Sequence, residues 1–201
     1  MLRALVMIAL VGCAGSQRAR VPEDPYQVFW NHLRALCGQA FDGAIAVNEG
    51  GGDAPDPFEG KVLRMHVRAC SDQEIRVPFH VGDDRSRTWV FTRTATGVRL
   101  KHDHRHEDGT PDVLTLYGGD ASGPIAADGL RFPTDDFSRA LFQRENRAVS
   151  VPNVWVVDLV PSQRYSYALT RPGRVFRIDF DLTRPVAAPP PPWGAETPSI
   201  P

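Results

Sequence analysis

Hydrophobic and polar residues alternate with a period of two along most of the chain after residue 44. The alternating runs are short, and Gly, Asp, Asn and Pro residues separate them at hairpin-like intervals, as in strands joined by tight turns. We therefore expect strands over residues 44–47, 61–70, 74–81, 86–94, 97–105, 112–117, 129–132, 153–160, 164–170 and 174–182. Several connections are too short for a crossover helix, so neighbouring strands should be antiparallel.

One face of the expected sheet is apolar and the other is polar. In the strand over residues 74–81, for example, Val77 and Phe79 alternate with Arg76 and His80. A meander of about eight to ten such strands closes on itself, because closure removes the unpaired edges. The sequence therefore predicts a mainly β fold, in which an antiparallel meander closes into a β-barrel with an apolar interior.

A helical period precedes the strands. Asp24 is suited to the N-cap and Pro25 to the first helical position, so a helix is expected from there to about residue 41. Its apolar face consists of Phe29, Leu33, Leu36, Cys37, Ala40 and Phe41. This amphipathic N-terminal helix should plug or flank the barrel. A second, short helix is expected near residues 134–142, with Thr134 as its N-cap.

The length of the chain leaves one domain after its two ends are subtracted. We expect a single helix-plus-barrel domain over residues 24–184 and a Pro-rich tail over residues 185–201, which would run as an extended polyproline segment. The prolines at 189–192 are suited to an aromatic groove on a partner, although such tails are more often disordered or lie along their own domain.

The formal net charge of −1 argues against binding to nucleic acid. Lys61 and Lys101 are the lysines among the 23 basic residues, and the others are arginines. Because arginine prefers carboxylate and phosphate partners, this excess is compatible with an anionic ligand. The codon usage of a GC-rich genome produces the same excess. The arginines are spread along the chain without a cluster, which favours codon usage.

Residues 10–13, Leu-Val-Gly-Cys, follow a short apolar run behind Arg3 and resemble the lipobox of a bacterial lipoprotein precursor. The resemblance implies a signal peptide over residues 1–12, an acylated Cys13 that carries palmitate or a similar chain, and a tether over residues 13–23. Ala14 is similar to the residue found in lipoproteins sorted to the outer membrane, so the domain would be anchored in the cell envelope and face the periplasm. Alternatively, the apolar run begins an ordinary buried element. It is too short to span a membrane, which needs about 18 apolar residues.

Cys37 and Cys70 remain once Cys13 is acylated. An even pair of cysteines in an oxidising compartment favours a disulfide. Two buried free thiols are the alternative, which the spacing does not exclude.

A cluster of histidines ends the strand over residues 97–105. His102, His104 and His106 would project to one face, on the side set by Val98 and Leu100, and are candidate ligands of a divalent metal. The run resembles the first cupin motif, with Gly97, His102, His104 and Glu107 in the matching roles, but its spacings are shorter and no second motif follows. The alternative, which we favour, is a solvated strand end.

The strand count and the single apolar face over residues 44–182 resemble the calycins, the lipocalin-like ligand-binding barrels. The lipocalin Gly-x-Trp is missing, since Gly43 is followed by Ala44 and Ile45. The stretches 77–84 and 102–109 also resemble a family of uncharacterised bacterial secreted proteins, a resemblance that implies no activity.

Three hypotheses for function follow. In the first, a lipid-anchored envelope protein binds a small apolar or amphipathic ligand in its barrel. The candidate lining residues are Phe79, Trp89, Phe91 and Phe176. In the second, the protein is a metal-dependent enzyme that uses the three clustered histidines. In the third, it is a structural envelope module whose barrel is filled by its own aromatic side chains. No catalytic residue is assigned, and a cofactor, a divalent metal, enters only with the second hypothesis.

Overall fold

The computed structural model describes residues 23–51, 56–126 and 129–195. Within these ranges the chain forms a 12-stranded sheet, two α-helices and one 3-10 helix. In chain order the elements are α1 (Pro25–Ala35), β1 (Ala40–Glu49), β2 (Leu63–His66), β3 (Ala69–Cys70), β4 (Glu74–Val81), β5 (Asp84–Thr94), β6 (Gly97–His104), β7 (Tyr117–Asp120), β8 (Pro124–Ala126), β9 (Gly129–Pro133), α2 (Asp136–Arg144), the 3-10 helix (Ala148–Ser150), β10 (Val154–Val160), β11 (Arg164–Arg171) and β12 (Arg174–Val186).

The sheet is an antiparallel meander that nearly closes into a barrel. Its strand order is β7-β6-β5-β4-β2-β1-β12-β11-β10-β9-β8, and the short strand β3 pairs with β4. The first long strand, β1, lies between β2 and the last strand, β12. At the seam, the Ser122 N–H donates to the Arg131 carbonyl at 2.9 Å and the Asp135 N–H donates to the Gly118 carbonyl at 2.9 Å. The predicted fold class is confirmed, and the architecture is compatible with a calycin-like fold.

The alternation of residues determines which side chains enter the barrel. On β4, Val77 and Phe79 are buried, and on β12, Ile178 and Phe180 are buried, as the sequence predicts. The outward face carries ion pairs instead, such as the one between Arg64 and the facing Asp42. Burial of the apolar face is the main stabilising contribution, at about 25 cal/mol for each Å² of apolar surface removed from water.

Helix α1 covers one end of the barrel. The Phe29 ring is fully buried, with its centroid 5.7 Å from that of Phe91 on β5 and 6.4 Å from that of Phe132 on β9. The helix begins as predicted, because the Asp24 carboxylate accepts the Tyr26 N–H at 3.0 Å and Pro25 occupies the first turn.

The helix ends earlier than the sequence predicts. It stops at Ala35, and the chain turns at Gly38, which has a φ of +83°. The Gly38 N–H donates to the Val67 carbonyl at 2.7 Å, and Ala40 and Phe41 pair with β2 and β12. Pairing with two strands gives these residues hydrogen bonds and burial together, which outweighs their helical spacing.

Other boundaries also differ from those predicted. Residues 112–116 are not a strand, because the Asp112 carboxylate accepts the Leu114 N–H at 2.7 Å in a local turn and Leu116 has a φ of +57°. Helix α2 uses Asp135 rather than Thr134 as its N-cap, with the carboxylate accepting the Ser138 N–H at 2.9 Å.

The Pro-rich segment lies along its own domain over its described residues. Strand β12 continues to Val186, and the following residues pass over the start of β5. There the backbone N–H of Trp193 donates to the Arg85 carbonyl at 3.1 Å. The Arg85 guanidinium donates in turn to the Pro191 carbonyl at 3.1 Å.

The predicted pairing of Cys37 and Cys70 is confirmed, with their Cα atoms 6.3 Å apart. The bridge joins the turn after α1 to β3. The predicted signal peptide, Cys13 and nearly all of the tether lie outside the described residues. Within the described ranges, neither helix is long and apolar enough to cross a membrane.

Candidate functional site

The barrel contains a cavity of about 440 Å³ at the end away from α1. Residues at opposite ends of β5 show that α1 and the cavity lie at opposite ends of the barrel. Tyr26 and Trp30 of α1 lie against Gly97 and Arg93, where β5 ends and β6 begins. The cavity is lined by residues such as Arg87, where β5 begins. The helix therefore closes one end of the barrel, and the cavity opens at the other.

Aromatic rings form the buried walls of this barrel cavity. The rings of Trp89 and Tyr167 stack with centroids 4.2 Å apart, and Phe79 stacks on Trp89 at 4.9 Å. Phe58 lies 5.0 Å from Phe176 nearer the opening. The further buried lining residues are His102, Phe142, Trp155 and Ile178. Such walls offer apolar, rigid contact surface to a ligand.

His102 is a buried polar group in this wall, with 3% of its surface exposed. Its Nδ1 lies 3.1 Å from the Tyr117 carbonyl oxygen, and its Nε2 lies 2.7 Å from the Tyr167 hydroxyl. Because a carbonyl only accepts, Nδ1 carries the proton and Nε2 accepts the hydrogen bond of Tyr167. Burial lowers the pKa of His102 to about 3, so the ring is neutral at neutral pH.

His104 lies closer to the opening. Its Nε2 is 3.0 Å from the Tyr117 hydroxyl, and burial followed by the nearby Arg87 charge lowers the pKa of His104 to about 4. Burial also raises the pKa of Tyr117. At neutral pH the histidine and the tyrosine are therefore both uncharged hydrogen-bonding groups.

The structure brings two of the three clustered histidines together. His102 and His104 project into the barrel on the side of Val98 and Leu100, whereas His106 is exposed in the turn after β6. In residues 23–51, 56–126 and 129–195, no group of three or more His, Cys, Asp or Glu side chains is placed to hold a metal ion. The Nε2 atoms of both inward histidines are hydrogen-bonded to tyrosines. The solvated strand end expected here is seen at His106 but not at His102, which is buried, and a metal site at these residues stays a prediction.

Charged side chains line the opening of the cavity. We call Arg87, Asp112, Arg147 and Arg171 the mouth, because all four line the cavity and are at least partly exposed. Arg87 forms an ion pair with Asp84 at 2.5 Å. The Arg171 guanidinium donates to the Asn153 side-chain oxygen at 3.3 Å.

Three of the four candidate lining residues line the cavity. Phe79, Trp89 and Phe176 lie in its walls, whereas Phe91 packs beneath α1. Trp155 and Tyr167 were not among the predicted lining residues, although each stands at an apolar position of an alternating strand. The mouth arginines were not predicted either, because they come from three distant segments and carry no local signal in the sequence.

Comparisons of the chain with protein-family models, with curated proteins and with solved structures found no match.

Proposed function

We propose that this protein is a membrane-anchored lipoprotein of the bacterial cell envelope whose barrel binds a small amphipathic ligand. The observation that carries the proposal is the cavity of about 440 Å³, with aromatic walls and a polar mouth. Small-molecule sites commonly have volumes of about 300–1,000 Å³, mostly apolar walls and a few convergent polar groups. The barrel cavity has all three properties.

The distribution of side chains in the barrel supports binding over a purely structural role. Beneath α1, Phe29, Phe91 and Phe132 pack against one another and fill the interior. At the other end the rings line a space instead of filling it. Rings that line an open space lack the packing contacts that a filled core provides, so a barrel selected only for stability is expected to fill this space.

Filling the cavity should weaken ligand binding strongly. Leu169 is partly buried in the cavity wall, and Leu169→Trp adds a large ring there. We expect the variant to bind N-phenyl-1-naphthylamine, a neutral fluorescent probe, at least about 10-fold more weakly than the parent chain, because the probe and the new indole compete for one space. Fluorescence titration of the full chain measures this, with thermal unfolding as the check on folding.

Val149→Trp is the matched control, because Val149 is 62% exposed and does not line the cavity. It should bind the probe as the parent chain does. Equal affinity of the Leu169→Trp variant and the parent, or no binding by the parent, would contradict a binding role for the cavity.

The anchor is tested separately. Cys13→Ala removes the residue that the lipobox resemblance marks for acylation, so we expect the protein to move from the membrane fraction to the soluble fraction and to lose the lipid mass. Ser16→Ala is the control within the same segment and should leave the protein on the membrane. Unchanged fractionation of Cys13→Ala would show that the membrane anchor is not at this cysteine.

A further inference from the structure

We infer that the ligand of the barrel is an amphipathic anion, whose acidic head binds Arg147 and Arg171 at the mouth and whose apolar body lies against the aromatic walls. This inference rests on the proposed function and names the chemical class of its ligand. It comes from the charged side chains of the mouth, which lie on four separate segments of the chain.

The two arginines lack a carboxylate partner among the described residues. Arg147 is exposed and its guanidinium has no hydrogen bond or ion pair there, while Arg171 donates to the neutral amide of Asn153 at 3.3 Å. Elsewhere on the barrel, Arg64 and Arg99 each hold a facing carboxylate through two hydrogen bonds. Arg147 and Arg171 are therefore free to bind a carboxylate, sulfonate or phosphate group in that way.

The other groups at the mouth do not cancel this charge. Asp84 neutralises Arg87, and Asp112 is the one carboxylate that lines the described cavity. One Asp112 oxygen already accepts the Leu114 N–H. Because Arg87 is paired, the remaining charges at the mouth are those of two arginines and one aspartate. The net charge of the mouth is therefore positive. The inward histidines add no charge, because both are neutral at neutral pH.

The aromatic walls do not favour a cationic head. A cation would need the open face of an aromatic ring. Phe79 and Tyr167 both stack on Trp89, with interplanar angles of 13° and 19°, and arginines already lie over the rings of Phe58 and Phe176. The walls therefore present an apolar surface to the body of the ligand, and the arginines select the charge of its head.

Three ligands with the same alkyl chain test the inference: dodecanoate, 1-dodecanol and dodecyltrimethylammonium. The full chain carrying Cys13→Ala is used, so that no attached acyl group competes for the cavity. At about pH 8, where the carboxylic acid is ionised, we expect dodecanoate to bind about 10- to 100-fold more tightly than the alcohol, as for charge-assisted hydrogen bonds. The ammonium ligand should bind most weakly. Quenching of tryptophan fluorescence by titration gives the three affinities.

The double variant Arg147→Gln and Arg171→Gln should lower the affinity for dodecanoate to that for 1-dodecanol and leave the alcohol unchanged. Arg131→Gln is the matched control, because Arg131 is exposed on β9 and does not line the cavity. It should change none of the affinities.

The outcomes separate the inference from the proposed function. Equal binding of the acid and the alcohol, tighter binding of the ammonium ligand, or an equal loss of both acid and alcohol in the double variant would overturn the inference and leave a binding barrel. No binding of any of the three ligands would overturn the proposed function as well.

Discussion

Acidification from neutral pH to about pH 4 should destabilise the folded protein by roughly 3 kcal/mol through His102 alone. In the unfolded chain this histidine takes up a proton near its ordinary pKa of 6.5, whereas burial lowers its pKa in the folded protein to about 3. Between these values the unfolded state binds more protons than the folded state, so stability falls as the pH falls. The stabilising contribution is fully present above pH 6.5 and is lost progressively toward pH 3.

Urea unfolding at a series of pH values measures this slope. His102→Leu removes the titrating ring, so stability should depend less steeply on pH between about 6 and 4, by up to about 1.4 kcal/mol for each pH unit. The variant leaves the Tyr167 hydroxyl without its acceptor, which costs about 1–3 kcal/mol at neutral pH. His102→Gln keeps a hydrogen-bond donor and an acceptor but does not titrate. It replaces His102→Leu in the experiment if the leucine variant does not fold.

His106→Leu is the control, because His106 is exposed in the turn after β6. It should keep the slope of the parent chain. His80 and His104 also have pKa values lowered to about 4 by burial, so part of the slope should remain in the His102 variants. A slope that is the same in His102→Leu, His102→Gln and the parent would contradict the burial of a neutral His102.

Loss of the Cys37–Cys70 disulfide should cost about 2–4 kcal/mol of the free energy of unfolding. The bridge closes a loop between residues 33 positions apart, and its removal enlarges the ensemble of the unfolded chain. It also joins the turn after α1 to β3, so the covered end of the barrel should open more easily without it.

The double variant Cys37→Ala and Cys70→Ala, compared with the parent chain in urea under oxidising conditions, measures this contribution. Adding a reductant should lower the stability of the parent toward that of the double variant and leave the variant unchanged. Thiol labelling of the unfolded parent checks that the bridge is present, because both cysteines should react only after reduction. If the bridge is present and the parent is equally stable with and without reductant, the bridge forms without stabilising the fold.

The class of fold and the buried face of each strand could be derived from the sequence because both are local properties. Successive side chains of a strand point to opposite faces, so the alternation around Val77 and Phe79 identifies the inward positions without knowledge of any neighbour. The turn residues between strands likewise indicate hairpins, and hairpins in series give an antiparallel meander. The two halves of the disulfide could be named because few cysteines were available to pair.

Element ends were harder to derive from the sequence, since they depend on partners distant in the chain. Ala40 and Phe41 continue the helical pattern of α1, yet both join β1, because β2 and β12 offer them hydrogen bonds on either side. Asp112 and Leu114 alternate like strand residues, but a carboxylate hydrogen bond turns the backbone there. In both places a contact that the local pattern does not contain decides the conformation.

The sequence by itself therefore determined the alternation, the meander and the apolar interior of this protein. Only the tertiary structure decided which inward residues meet around a cavity and which fill the space beneath α1. The mouth shows most clearly what the sequence pattern leaves undetermined. Its three arginines are spread along the chain and yet line one opening: Arg87, Arg147 and Arg171. Alternation specifies only the face of a side chain, whereas the closure and register of the barrel determine its height and its neighbours.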